Sequence, residues 1–211
     1  MAANHVRDTR APVQTQPQMN PLWYQNHYII KKKALRIVDQ YYIEDPMGAQ
    51  LAYSKQKFWK IKDDIRIFAD ESMTQELFRI MQAQIIEAWG KFDVIDSATN
   101  IPLGYFRRKA LMSAFVSDEW EIYNMNDQMI GRLAEGTGRG LARKYIPYVG
   151  ALIPEKITME LNGRPVVQIN QRFKIIGDIW DIQCHSLPDH FDRRVLLAGV
   201  ILMAMIERQR K

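Results

Sequence analysis

The stretch that most constrains this chain is its end, "RRVLLAGVILMAMIERQRK", residues 193–211, in which Val195 to Ile206 form an unbroken apolar run between charged clusters. A spanning helix needs roughly 20 apolar residues to cross about 30 Å of hydrocarbon, and this run is too short for that. A helix lying on a protein surface keeps one polar face. Here Val195, Leu196, Leu197, Val200, Ile201, Leu202, Met203, Met205 and Ile206 occupy every face. The helix must be surrounded, either threaded through a closed barrel or packed between a sheet and other elements. Gly199 costs about 1 kcal/mol relative to Ala in a helix interior, which is reasonable if a wall strand passes too close for a methyl group. The predicted core helix runs over 191–209, with Val195, Leu196, Gly199, Ile201, Leu202 and Met205 as its packing residues. Asp192 suits the positive end of the helix dipole, whereas Arg193 and Arg194 oppose it and are expected to be solvated flanks or contacts for an anionic partner.

What surrounds the helix is legible as a repeat. "YYIEDPMGAQLAY", "IRIFADESMTQELFRI", "FDVIDSATNIPLGYF", "WEIYNMNDQMIGRL" and "ITMELNGRPVVQI" each set an alternating strand before a polar turn and a second strand. The turn-opening residues Asp45, Asp70, Asp96, Asn124 and Asn162 are spaced by 25, 26, 28 and 38. Asp and Asn bond their own backbone and tolerate left-handed geometry, and Gly48 and Gly163 supply positive φ. "GDIWDIQCHSLPDHFD" reads as a degenerate sixth hairpin. Six hairpins give about twelve short strands, which favours closure into an antiparallel barrel, mainly β, around the terminal helix. The period breaks at 135–156, a glycine-rich excursion with one short helix expected at "LARKYI".

The repeated hairpins, "IPEKITMELNGRPVVQINQRF" and "DRRVLLAGVILMAMIE" together resemble the tubby-like barrel superfamily, in the branch that holds LURP-one-related proteins and phospholipid scramblases. The resemblance runs from about Tyr28 to Gln209 and implies a twelve-stranded barrel around a hydrophobic C-terminal helix. It also implies a membrane-related role, since tubby proteins bind phosphoinositides and scramblases move lipid in response to calcium. The acidic segment that would hold calcium corresponds to residues 177–192 here. Its Asp178, Asp181, Asp189 and Asp192 lack the alternating spacing of a calcium loop.

Residues 1–24 are expected to be a flexible lead-in without the apolar core of a secretory signal, and 25–211 to be one barrel domain. The lone Cys184 excludes an internal disulfide and, with the missing signal, points to the cytoplasm, with peripheral membrane contact as an added option. Cys184, His185 and His190 match no metal or nucleophile spacing, and no catalytic motif stands out. The protein is therefore expected to be non-enzymatic, with no cofactor and no metal.

Net charge is +5, enough to permit an anionic partner. The cations are organised: Lys55 and Lys57, Arg107, Arg108 and Lys109, and Arg172 and Lys174 each close the second strand of a hairpin. In an up-and-down barrel those strands run the same way, so the clusters gather at one rim. Arg139, Arg143 and Lys144 in the excursion extend them, beside aromatic residues able to enter a lipid interface. The expected partner is anionic lipid or a membrane surface. The alternatives are a protein partner at the loops or lipid scrambling; nucleic acid is not expected, and oligomeric state is open.

Overall fold

The computed structural model describes residues 20–34, 38–57, 64–83, 90–108, 119–135, 156–173 and 177–206. Twelve antiparallel strands close into a barrel: β1 (His27–Ala34), β2 (Val38–Glu44), β3 (Gln50–Lys57), β4 (Ile65–Phe68), β5 (Glu76–Gln82), β6 (Lys91–Asp96), β7 (Pro102–Arg108), β8 (Glu119–Tyr123), β9 (Met129–Glu135), β10 (Lys156–Leu161), β11 (Arg164–Phe173) and β12 (Asp178–Cys184). Each strand pairs with its neighbours in sequence, and β1 pairs with β12 to shut the seam, Ile30 opposite Trp180. Period-two burial follows, as in β2, where Asp39, Tyr41 and Ile43 point inward and Gln40 and Tyr42 outward.

Five of the expected hairpins are present, β2–β3, β4–β5, β6–β7, β8–β9 and β10–β11. The sixth is not a hairpin. Its segment supplies β12 alone, and the twelfth strand comes from the other end of the chain as β1. "HYIIKKKA" is hard to read as a strand because Lys32 takes an inward position, only 3% exposed, in an ion pair with the buried Asp39. The core also begins before the expected boundary at residue 25. Pro21–Trp23 forms a single 3-10 turn that buries Leu22 completely, and the Tyr28 hydroxyl donates to the Leu22 carbonyl at 2.7 Å.

The turns follow the Asx chemistry of the sequence. Asp45 Oδ1 accepts from the amides of Met47 and Ala49, both at 2.8 Å, and Asn124 Oδ1 from those of Asn126 and Gln128 at 2.9 and 3.0 Å. All five tight turns lie at one end of the barrel, here the turn rim. The opposite end, here the loop rim, carries the connections from odd to even strands. The excursion between β9 and β10, with the expected helix at "LARKYI", lies outside the described residues.

Helix α1 (Arg193–Ile206) enters at the turn rim, after the linker from β12, and runs along the barrel axis toward the loop rim. About eight strands enclose only side chains and sixteen leave an aqueous channel, so twelve leave room for one helix about 10 Å across. Leu196, Leu197, Ile201 and Leu202 are fully buried, and Val195 nearly so. The backbone of Met205 lies in the helix; its side chain is outside the described set. A Cβ on Gly199 would sit 2.5 Å from Leu133 Cδ1 and 2.8 Å from Phe106 Cζ. The wall strands β9 and β7 thus pass too close for a methyl group, and it is their inward side chains that make the approach. Among the described residues, no helix is long and apolar enough to cross a membrane.

Arg193 and Arg194 are neither solvated flanks nor open contacts. Arg193 is 5% exposed and donates to the carbonyls of Pro188 and Phe191 and to Asn26 Oδ1, fastening the linker to the start of the barrel. Arg194 bonds Asp192 and reaches Asp96 Oδ1 at 2.7 Å, with its guanidinium 4.9 Å from the Trp23 ring centroid. Asp192 caps the helix by accepting from the Arg194 amide at 2.9 Å.

Candidate functional site at the loop rim

The three strands expected to carry cations at their ends, β3, β7 and β11, all finish at the loop rim. Lys55 is there and exposed, as is Arg172; Arg107 and Arg108 are half-buried. The backbone of Lys57 is at the same rim, but its side chain, like Lys109, Arg139, Arg143, Lys144 and Lys174, lies outside the described residues.

The cations brought together do not all face one way. Arg107 shares the outward face with Tyr105, whereas Arg108 follows the inward face and stacks 5.8 Å over Trp120, a core residue. Arg172 points outward but is bonded to Asp181. Asp181 also accepts from His27 Nε2 at 3.0 Å and from Gln183 at 3.2 Å. Burial alone would push the Asp181 carboxyl up, but the bonds from Arg172, His27 and Gln183 outweigh it and hold it below the ordinary carboxylate range. Arg172 therefore serves the wall between β11 and β12 before it can serve a partner.

Two platforms on the outer wall, each with its cations toward the loop rim and its tyrosines toward the turn rim, were not anticipated. In the first, register sets Lys33, Gln40 and Lys55 in one row across β1–β3, with Lys31, Tyr42 and Tyr53 in the next row down. Lys33 Nζ lies 4.4 Å over the Tyr42 ring. The Tyr42 and Tyr53 rings meet edge-on at 5.2 Å, and Gln40 donates to the Tyr53 hydroxyl at 3.0 Å. In the second, Lys91, Arg107 and Glu121 form the row across β6–β8, with Asp93, Tyr105 and Tyr123 below. Tyr105 and Tyr123 stack in parallel at 4.7 Å; Lys91 Nζ sits 4.1 Å over Tyr105, and the Arg107 guanidinium 4.9 Å over Tyr123.

Each platform is a pair of tyrosines on adjacent strands, with cations one rung nearer the rim. Aromatic faces attract cations and fix long side chains that would otherwise be mobile, so less entropy is lost when an anion is bound. Burial, with a hydrogen bond to Asp127, pushes the Tyr105 phenol up to about 12. The signal in the sequence was a tyrosine two residues from a cation, Tyr53 with Lys55 in β3 and Tyr105 with Arg107 in β7, but only the register shows that each has a second tyrosine, Tyr42 or Tyr123, on the neighbouring strand.

Among the described residues, no group of three His, Cys, Asp or Glu side chains could hold a metal ion. Cys184 is half-buried, and burial pushes its thiol up to about 11, away from nucleophilic character at neutral pH.

No curated protein and no solved structure matches the chain. The sequence model of one family, LURP-one-related, matches residues 50–204, from the first residue of β3 into α1 and leaving out only β1 and β2 of the barrel. With that match over most of its length and a closed twelve-stranded barrel around a C-terminal helix, the chain belongs to the LURP-one-related family of the tubby-like barrel superfamily.

Proposed function

We propose that this LURP-one-related barrel is a non-enzymatic binding module that holds anionic lipid head groups, or a membrane surface that presents them, at its loop rim. The observation that supports the reading best is the pair of tyrosine platforms. Lys33 and Arg107 are steered over aromatic rings, Lys33 and Lys55 are solvent-exposed, and all three project near one edge. Each cation near an anionic surface contributes about 1 kcal/mol, falling off within a Debye length of about 8 Å at physiological salt. Membrane contact by this route is peripheral and electrostatic, and the apolar helix takes no part in it because it fills the barrel.

The test is sedimentation with vesicles of neutral phosphatidylcholine, with and without phosphatidylserine. The expected result is binding to the anionic vesicles alone, released by high salt. Replacing Lys33, Lys55 and Arg107 together by Ala is expected to weaken it roughly a hundredfold, the equivalent of about 3 kcal/mol. Equal binding to neutral vesicles, or an unchanged affinity in the triple variant, overturns the reading.

A further inference from the structure

The turn rim has a different surface and asks for a different partner. Among the described residues the exposed large apolar side chains are Tyr24, Met47, Met73, Ile101, Met125 and Met129, and all of them are at this end. Four successive hairpin turns each carry one, at Met47, Met73, Ile101 and Met125; Met47, at 95%, is the most exposed of them. Met73 is instructive because its φ is +54°, a left-handed position that neighbouring turns fill with Gly48, Asn100 and Asp127. Methionine costs about 1–2 kcal/mol more there than residues suited to that geometry, so local turn stability does not account for it.

Beside these tips, a cleft of about 400 Å³ opens at the start of α1. Leu103, Ile130, Leu161, Phe191 and Val195 give it apolar walls, and Asn124, Asn162, His190 and Asp192 edge it. The volume is in the range of small binding pockets, roughly 300–1,000 Å³, and suits an inserted side chain. Methionine accommodates partners of varied shape, and an apolar anchor surrounded by such residues is how protein interfaces concentrate their affinity.

Charge selects the partner. Asp45, Asp70, Glu71, Asp127 and Asp189 lie in the turns and the linker of this rim; of its arginines, Arg193 and Arg194 are consumed by internal bonds and Arg164 is exposed, so the surface is acidic on balance. An anionic bilayer is repelled by such a surface, whereas a basic polypeptide is attracted. We infer that the turn rim docks a basic protein segment which inserts one leucine or aromatic side chain into the cleft beside α1, with flanking lysines or arginines meeting the acidic turns. This site is at the opposite end from the lipid reading and stands or falls independently of it.

The test is selection of binders from a random peptide display library against the full chain, followed by affinity measurement of the selected peptides. The expected consensus is a single Leu, Phe or Trp flanked by Lys or Arg. The affinity should fall at least tenfold in a variant carrying Ile101→Ser, Met125→Ser and Met129→Ser, all exposed positions that leave the core intact. The Glu71→Lys/Asp189→Lys variant, at exposed positions that cap no turn, should show a similar loss, and Lys55→Ala at the other rim none. An acidic or purely apolar consensus overturns the inference, as does binding that survives both turn-rim variants. So does binding of anionic vesicles that the Met125 and Met129 changes abolish, since the apolar tips would then be serving a membrane.

Discussion

The two rims of the barrel are ends of the same twelve strands, yet they differ in almost every property that a partner would sense. At the loop rim, strands finish in lysine and arginine, some of them steered by tyrosine rings on the outer wall. At the turn rim, the chain reverses through Asx turns, so aspartate and asparagine are demanded by the backbone itself, and acidity comes with the turn chemistry. Charge separation along the barrel is thus partly a by-product of how up-and-down hairpins are made. The exposed methionines are not, because no turn requires them. The direction of α1 agrees with this polarity: its N-terminal, positive end lies among carboxylates, with Asp192 as cap, and its C-terminal end lies toward the cations.

The comparison depends first on a helix fixed inside the barrel, and the largest expected effect tests that. Leu202→Lys places a charge at a position with no solvent exposure, and an unpaired buried charge costs at least about 3 kcal/mol against a total stability of about 5–15. Loss of the cooperative melt in circular dichroism is expected, whereas Met47→Lys at an exposed turn should change stability by less than about 0.5 kcal/mol. A folded Leu202→Lys variant as stable as wild type would remove the helix from the core.

A medium effect separates structural from available charge at the turn rim. Burial alone would push the Asp96 carboxyl up, but the Thr99 hydroxyl, Arg194 and backbone amides outweigh it and hold it below the ordinary carboxylate range. Its folded pKa is depressed, so its stabilisation is present above about pH 4, the ordinary value, and is lost as pH falls through the folded value. Asp96→Asn should therefore lower stability at neutral pH by about 1–3 kcal/mol and flatten the acid limb of the stability curve, read by denaturant titration at stepped pH. An unchanged acid limb would mean that Arg194 is not held by Asp96.

The smallest effect on stability concerns the rims as surfaces. Lys33→Ala and Met73→Asn should each leave the midpoint of urea unfolding nearly unchanged or, for Met73→Asn, raise it slightly by relieving the left-handed backbone. A clear loss of stability in Met73→Asn would show that the methionine packs for the fold, and would weaken the contrast between the ends.

Much of the architecture was legible because it is local: an Asp or Asn opening a turn, alternation on either side, and an apolar run that no surface helix could carry. What escaped was non-local. β1 was hidden because Lys32 points inward to a partner seven residues on in another strand, and the last segment resembled half of a hairpin whose other half is at the start of the chain. Arg193 and Arg194 looked like solvent flanks because Asn26 and Asp96, which hold them, are distant in sequence. At the loop rim, the cation clusters could be read from strand ends, but not that Arg108 turns inward, that Arg172 is held by Asp181, or that Tyr105 meets Tyr123.

The central claim, that the barrel meets anionic membrane with its loop rim and not its turn rim, can be tested by where a dye is shielded. Cys184 is half-buried with its thiol pushed up to about 11, so an introduced cysteine reacts first at neutral pH, and Cys184→Ser removes the remainder. An environment-sensitive dye at Lys55→Cys should shift to the blue and resist aqueous quencher when phosphatidylserine vesicles are added, while the same dye at Met47→Cys should not respond. A response at Met47→Cys with none at Lys55→Cys would contradict the account.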